Sequence, residues 1–316
     1  MATVRSGFGI APCSDVEAKA RTHRFPRALI LLSGAVRPTP FLLSIERSVL
    51  DLPIESGVSL LSDWQRQASE AAVACGQPRM EIRVVLDDAA LAPQSAAPTG
   101  DGVFVERDPT ELRGTGGIVR DLAQRFEPDD YLLIVGGPQL LARSLTKIVA
   151  ELAECEGDIA VAAHEDGLPC SLMLVRCGAV LDLPEVGFVD MKEQGLPIIA
   201  RKHRVLVRSY AQRIALPLMN EANYIAALRW HHSQQTGEFS AGAFDEEWDR
   251  RFTIVEPGAT VHPGALIHDS VVLSSAVIGR NATIVRSVVC ANSIIRKEAV
   301  ITDALIGSPR RGGAGL

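Results

Sequence analysis

From residue 27 onward the chain alternates short apolar runs with longer stretches whose apolar residues fall at helical spacing. The runs are "RALILLSG" (27–34), "MEIRVVLDD" (80–88), "VFVERD" (103–108), "YLLIVGG" (131–137), "DIAVAAHE" (158–165), "SLMLVRC" (171–177) and "RVLVRSY" (204–210). Short runs with little internal polarity mark strands covered on both faces. Between them, "GVSLLSDWQRQASEAAVAC" (57–75) spaces Leu60, Leu61, Trp64, Ala68, Ala71 and Ala72 as a helix face ahead of Gly76. The segments "GGIVRDLAQRF" (116–126), "QLLARSLTKIVAELAECEG" (139–157) and "NEANYIAALRWHHSQQ" (220–235) also read as helices. "VDMKEQGLPIIARK" (189–202) reads as helical, bent or ended around Gly195 and Pro197. Strands alternating with helices predict an α/β domain over 26–235, built on an open, largely parallel sheet. Residues 1–25 read as a loose, flexible arm and "APQSAAPTGDG" (92–102) as a flexible loop.

After a polar linker, 236–252, the period changes. Val255, Val261 and Ile267 recur every six positions, and the series continues, after a slip of register, at Ile278, Ile284, Ile295 and Ile301. Small or aliphatic residues follow four places on at Ala259, Ala265, Val271, Ala282, Val288 and Ala299. A period of six is neither helical nor a simple strand alternation. It resembles the hexapeptide repeat of left-handed parallel β-helices, in which each hexad forms one side of a triangular coil. The repeats over 253–306 suffice for a short prism of about three coils, with Gly258, Gly264 and Gly279 at corners. Residues 307–316 read as a disordered tail.

Composition narrows the class of partner. Hydrophobic residues make up 47% and charged residues 22% of the 316, with a net charge of −6. A negative chain lacks the basic face that nucleic-acid phosphates require. No apolar run reaches the ~20 residues of a spanning helix, and the N-terminus has no apolar core of a signal peptide. No membrane and no nucleic-acid partner are therefore expected. The six cysteines show no C-x-x-C spacing; they read as reduced, mostly buried side chains of a cytoplasmic protein.

Three segments carry a resemblance: "RGTGGIV" (113–119), "GFVDMKEQGLP" (187–197) and "NEANYIAAL" (220–228). With the C-terminal hexads, they are similar to segments of the sugar-1-phosphate nucleotidyltransferases, such as mannose-1-phosphate guanylyltransferase and the glucose-1-phosphate adenylyl- and thymidylyltransferases. That family joins an NTP to a sugar 1-phosphate and releases pyrophosphate. The resemblance implies a Rossmann-like, GT-A-type α/β domain followed by a left-handed β-helix. It also implies a crevice at the carboxyl ends of the strands, where ligands of open α/β sheets bind. The residues it places there are Ser33, Gly34, Gly114, Thr115, Gly116, Gly117 and Gly136. Thr115 suits a helix cap, and the glycines permit close approach of backbone amides to a ligand. On that reading a bulky residue at 116 weakens binding and leaves the fold intact. The same turn also serves simply to end a strand and start a helix, with no ligand.

The departures bear on catalysis. In place of the family's Gly-rich triphosphate loop stands "SGAVRPTP" (33–40), about three residues shorter and missing the Gly-rich core. The resemblance sets Arg37 where the catalytic arginine stands and leaves only Arg47 near the place of the active-site lysine, with altered reach and geometry. Nucleotidyl transfer needs a divalent cation to offset phosphate charge. The resemblance sets Gly137 and Pro217 where the family has its two metal-binding aspartates, and neither side chain can ligate Mg²⁺. Asp87 and Asp88, at the end of a strand, are the substitute ligands to consider. Mg²⁺ is expected only if activity survives; otherwise the cofactor is left open.

The sequence is compatible with three functions. One is a nucleotidyltransferase-like protein of NDP-sugar or polysaccharide precursor synthesis with catalysis weakened or lost, which still binds a nucleotide or sugar phosphate. The second is an active enzyme with relocated metal ligands. The third is a hexapeptide acyltransferase or assembly module, for which His262 and His268 are the histidines within the repeats. The missing carboxylates favour the first. A short coil with aliphatic sides and open ends further predicts a homo-oligomer, or a complex with a related subunit, through 253–306.

Overall fold

Side chains on a strand alternate between faces, so a run that is apolar at every position needs cover on both sides. The computed structural model, which describes residues 11–12, 24–33, 39–87, 90–94, 102–107, 113–165, 169–236 and 252–307, supplies that cover. Eight strands form one sheet: β1 (Ala11–Pro12), β2 (Pro26–Leu32), β3 (Glu81–Leu86), β4 (Val103–Arg107), β5 (Tyr131–Gly136), β6 (Ile159–His164), β7 (Pro169–Arg176) and β8 (Val205–Tyr210). Their order is β1-β8-β6-β7-β5-β2-β3-β4. All neighbours run parallel except β7, which is antiparallel to both β5 and β6. Along β2, Leu29 and Leu31 join one apolar cluster, while Ala28, Ile30 and Leu32 join the other. Helices α1 (Leu60–Ala74) and α3 (Leu145–Ala153) cover the first face, and α2 (Gly114–Ala123) the second. Each fully buried aliphatic side chain contributes about 1.5–3 kcal/mol relative to exposure.

The start of α1 is locally encoded. Ser59 accepts from the Ser62 amide, and the Ser62 hydroxyl accepts from the Ser59 amide, which satisfies two otherwise orphaned donors. Elsewhere the structure departs from the periodicity. Ala11–Pro12, within the expected loose arm, pairs with Leu206 and Val207 as the edge of the sheet. Pro12 has no N–H to contribute, which an edge position tolerates. The expected helix over 139–157 divides: Gln139–Leu141 is a strand antiparallel to Ala215–Pro217, and the helix begins only at Leu145. The buried Gln67 side chain of α1 accepts the Leu145 amide and caps that start. The 189–202 segment becomes a π-type turn, Met191–Gly195, followed by the short helix Leu196–Ile199. Among the described residues no helix is long and apolar enough to cross a membrane.

The C-terminal strands form three parallel stacks. One holds Thr253–Val255, Ser270–Val272, Val288–Val289 and Leu305–Ile306; the others start at Thr260–Val261 and Leu266–His268. Paired residues lie seventeen positions apart, as 253 to 270 and 271 to 288, so the chain visits the three faces in turn. This explains the slip of register. Inside, the series runs Val255, Val261, Ile267, Val272, Ile278, Ile284, Val289, Ile295, Ile301, Ile306, with steps of six, six and five. Val272, Val289 and Ile306 are the inward residues that a strict six-residue count passes over. The corners use left-handed backbone at homologous places: Gly258, Ser275 and Asn292; Asn281 and Glu298; Asp269, Arg286 and Asp303.

The first stack is apolar outside as well as in. Ile254, Val271 and Val288 turn outward and belong to the same cluster as the core of the α/β sheet, together with Phe252, Leu273 and Cys290. The coil is thus docked on the α/β unit through the face formed by this first stack.

Candidate functional site

The parallel strands end together, and their ends bring a defined set of residues to one edge of the sheet. Leu32 of β2 is in register with Gly136 of β5, and the Gly137 amide donates to the Leu32 carbonyl at 3.1 Å. Ser33 is buried, its amide donating to the Val85 carbonyl at 2.9 Å. Because β7 is antiparallel, it enters at this edge, and Ser171 lies beside Gly136. Ser171 has φ 54° at the point where β7 slips register against β6. Left-handed backbone is uncommon for serine and stores strain. Gly137 has φ 75°, with open space where a side chain would stand.

Pro217 comes to the same edge. It pairs with Gln139, and the adjacent Leu218 amide donates to the Pro138 carbonyl at 3.0 Å. The two positions that the resemblance assigns to metal-binding aspartates therefore converge, and neither bears a carboxylate. Asp87, the described substitute, is engaged as a turn cap: its Oδ1 accepts the Ala90 amide at 2.6 Å. Among the described residues no group of three or more His, Cys, Asp or Glu is placed to hold a metal ion. Among the described residues, those at this edge do not fit a catalytic Mg²⁺. Gly34, Arg37 and Asp88 lie outside the described residues.

The GTGG turn opens α2 at this edge, but its own chain occupies it. The Gly116 amide donates to the Val189 carbonyl at 2.8 Å, and the Val189 amide donates to the Arg113 carbonyl at 2.9 Å. A Cβ on Gly114 would lie 2.6 Å from the Val189 oxygen, and one on Gly116 would lie 2.9 Å from it. Gly117 is crowded by the Arg113 side chain. These glycines make room for Val189, and a bulky residue at 116 strikes the fold itself, contrary to the expectation from sequence. Thr115 Oγ1 accepts the Met191 amide at 2.9 Å, so it caps the neighbouring π-turn rather than its own helix. Asp190 Oδ1 caps that turn as well, accepting from the Lys192 and Glu193 amides at 2.9 Å each.

This turn carries a residue that the sequence reading passed over. Lys192 is exposed, and its Nζ donates to Ser171 Oγ at 3.0 Å, across the strand ends beside Gly136. No ion pair joins it to a carboxylate among the described residues. Its only sequence signal was its place within "VDMKEQ", where a solvated turn lysine is the ordinary expectation.

Arg47 is elsewhere. Its guanidinium pairs with Glu256 of the coil at 2.7 Å and donates to Ser274 Oγ at 3.1 Å, while Glu256 also accepts the Ser274 amide at 2.7 Å. Arg47 thus lines a cavity of about 480 Å³ between the α/β unit and the coil, with Asp51, Gln94, Glu256 and Asn292. It fastens the two units and is not directed at the strand ends.

The described cysteines are free thiols. Burial pushes Cys177 up to about 12 and Cys290 up to about 11, so neither is a thiolate at neutral pH. Cys170 contacts His164 Nε2 at 3.4 Å but is buried in the core cluster. Of the repeat histidines, His262 accepts the Gly264 amide at a corner, and His268 stands next to the inward Ile267.

No protein-family model and no curated protein matches the chain. Among solved structures, HddC from Yersinia pseudotuberculosis is similar at 14% sequence identity over 64% of this chain and 98% of that one, with a TM-score of 0.46. A likeness of that degree transfers no chemistry.

Proposed function

We propose that the protein is a divergent relative of the sugar-1-phosphate nucleotidyltransferases that binds a nucleotide or sugar phosphate at the strand ends and has little or no metal-dependent catalysis. Its coil is read as a left-handed β-helix. The observation that carries the proposal is the convergence of Gly137 and Pro217 at one edge of the sheet, where the resemblance calls for two aspartates. Without a paired cation, the charge gathering at the α-phosphate is unsupported, and losing such stabilisation costs on the order of 10³-fold in rate. The protein then serves NDP-sugar or polysaccharide precursor synthesis as a regulatory or architectural subunit in the cytoplasm. Assembly as a homo-oligomer, or with a related subunit, runs through 253–306. Exposed Leu266, Val277, Ile294 and Val300 on the free faces of the coil support that route.

The test mixes purified protein with Mg²⁺, each common NTP and a panel of sugar 1-phosphates, and follows pyrophosphate release. Calorimetric titration with the same nucleotides runs beside it. Binding without turnover is the expected result. Robust Mg²⁺-dependent NDP-sugar formation would refute the reading.

A further inference from the structure

We propose that Lys192 and Ser171 form a metal-independent phosphate subsite: a fixed ammonium and a hydroxyl that receive the phosphate groups of the bound ligand. The proposal rests on the reading of the strand-end crevice given above.

The first argument is the sign of the local charge. A site built around two aspartates repels phosphate until a cation bridges them. Here glycine and proline stand at those positions, and the ammonium of Lys192 reaches over the ends of β5 and β7. The nearby Asp190 carboxylate does not neutralise it by a direct ion pair. One of its oxygens receives the Lys192 and Glu193 amides, and the other lies 3.4 Å from Thr115 Oγ1. An ammonium has three donors, and its hydrogen bond to Ser171 Oγ uses one.

The second argument is backbone geometry. Ser171 is held at φ 54° in the bulge of β7. That conformation costs on the order of 1–3 kcal/mol and persists only where the surroundings enforce it. It sets the hydroxyl against Lys192 while keeping its own proton available. Beside it, Gly136 leaves only 3.3 Å between a would-be Cβ and the Ser171 Cβ, and Gly137 is open. Among the described residues the floor of the subsite is therefore the backbone of Gly136 and Gly137, over which a phosphate can approach both donors.

Calorimetry on the full chain tests this, with inorganic pyrophosphate and a panel of ADP, GDP, UDP and dTDP as probes, each in excess EDTA and again in Mg²⁺. Wild type, Lys192→Met, Lys192→Arg and Ser171→Gly are compared, with urea unfolding of each as a fold control. Expected is binding that survives EDTA, falls by about tenfold or more in Lys192→Met, is largely kept in Lys192→Arg, and weakens in Ser171→Gly; a charge-assisted hydrogen bond is worth that much. The proposal is overturned if binding requires Mg²⁺, if Lys192→Met binds as wild type does, or if neither pyrophosphate nor any nucleotide binds. Pyrophosphate binding that depends on Lys192, without any nucleotide binding, leaves the subsite standing and removes the nucleotide from the functional reading. Nucleotide binding that is indifferent to Lys192 does the reverse.

Discussion

Gly114 and Gly137 share a positive φ, yet they face opposite surroundings, and substitution separates the two. At Gly114 a Cβ meets the Val189 oxygen at 2.6 Å and the Val189 carbonyl carbon at 2.8 Å, both backbone atoms that cannot swing aside. At Gly137 it meets nothing within 4 Å. Gly114→Ala is expected to lower stability by about 2–4 kcal/mol, from left-handed strain plus overlap. Gly137→Asn should cost about 1 kcal/mol or less, since asparagine tolerates this backbone. Urea midpoints of the two variants check the contrast. Equal losses would mean that the Val189 contact is not what requires glycine at 114.

At the scale of the element, the seventeen-residue turn of the coil makes depth depend on the level as well as the face. Ile284 belongs to the middle turn and is fully buried, whereas Ile294 is 68% exposed on an outer face. Ile284→Ala is expected to cost about 2–5 kcal/mol, the range for a large-to-small change in a packed core. Ile294→Ala should leave chemical unfolding of the monomer nearly unchanged. If the outer faces mediate self-association, Ile294→Lys shifts the sedimentation profile toward smaller species. Wild type and Ile294→Lys sedimenting identically as monomers at micromolar concentration would remove 253–306 as a self-assembly surface.

At the scale of the whole molecule, the α/β unit and the coil are joined by polar contacts set in an apolar interface. Arg47 and Glu256 are mostly shielded from solvent, at 16% and 14% side-chain exposure. Arg47→Ala leaves Glu256 short of its cation and should cost about 2–3 kcal/mol, toward the low side for a buried pair. Replacing both, as Arg47→Met with Glu256→Leu, should recover much of that loss. A double-mutant cycle with no coupling between the two would show the pair to be idle. On the other side of the junction, His232 stacks on Phe252 at 5.3 Å, and its Nε2–H donates to the Ile54 carbonyl at 3.1 Å. Nearby, Arg229 faces the fully buried Asp269, which accepts the Phe252 amide. Burial lowers His232 below its ordinary 6.5; the Ile54 carbonyl opposes the shift and the neighbouring His231 adds to it. A lowered histidine means that the unfolded chain binds the proton more readily. Stability is then complete above the unfolded value of about 6.5 and declines as pH falls through the folded value. His232→Gln should flatten that decline between pH 7.5 and 5.5 in urea unfolding; an unchanged slope would assign the pH dependence to other groups.

The sequence by itself determined whatever follows from local period and covalent chemistry. Apolar runs at every position became doubly covered strands, as in Leu29–Leu31 and Leu132–Val135. The aliphatic series through Val261, Ile278 and Ile284 became the inside of a three-faced coil, because that pattern suits only a chain that turns a corner every few residues. Gly137 and Pro217 are likewise read directly from the chain, and neither residue type carries a carboxylate. What the tertiary structure decided was every partnership between distant segments. Ala11–Pro12 joins the sheet through backbone bonds that leave no mark on hydrophobic spacing. Gln139–Leu141 becomes a strand because Ala215–Pro217 is there to pair with it. The GTGG amides face Val189, Arg47 faces Glu256, and Lys192 faces Ser171 across contacts separated by many residues in the chain. Glycines, arginines and lysines are compatible with many partners, and their role is fixed only when folding chooses which segment comes within hydrogen-bonding distance.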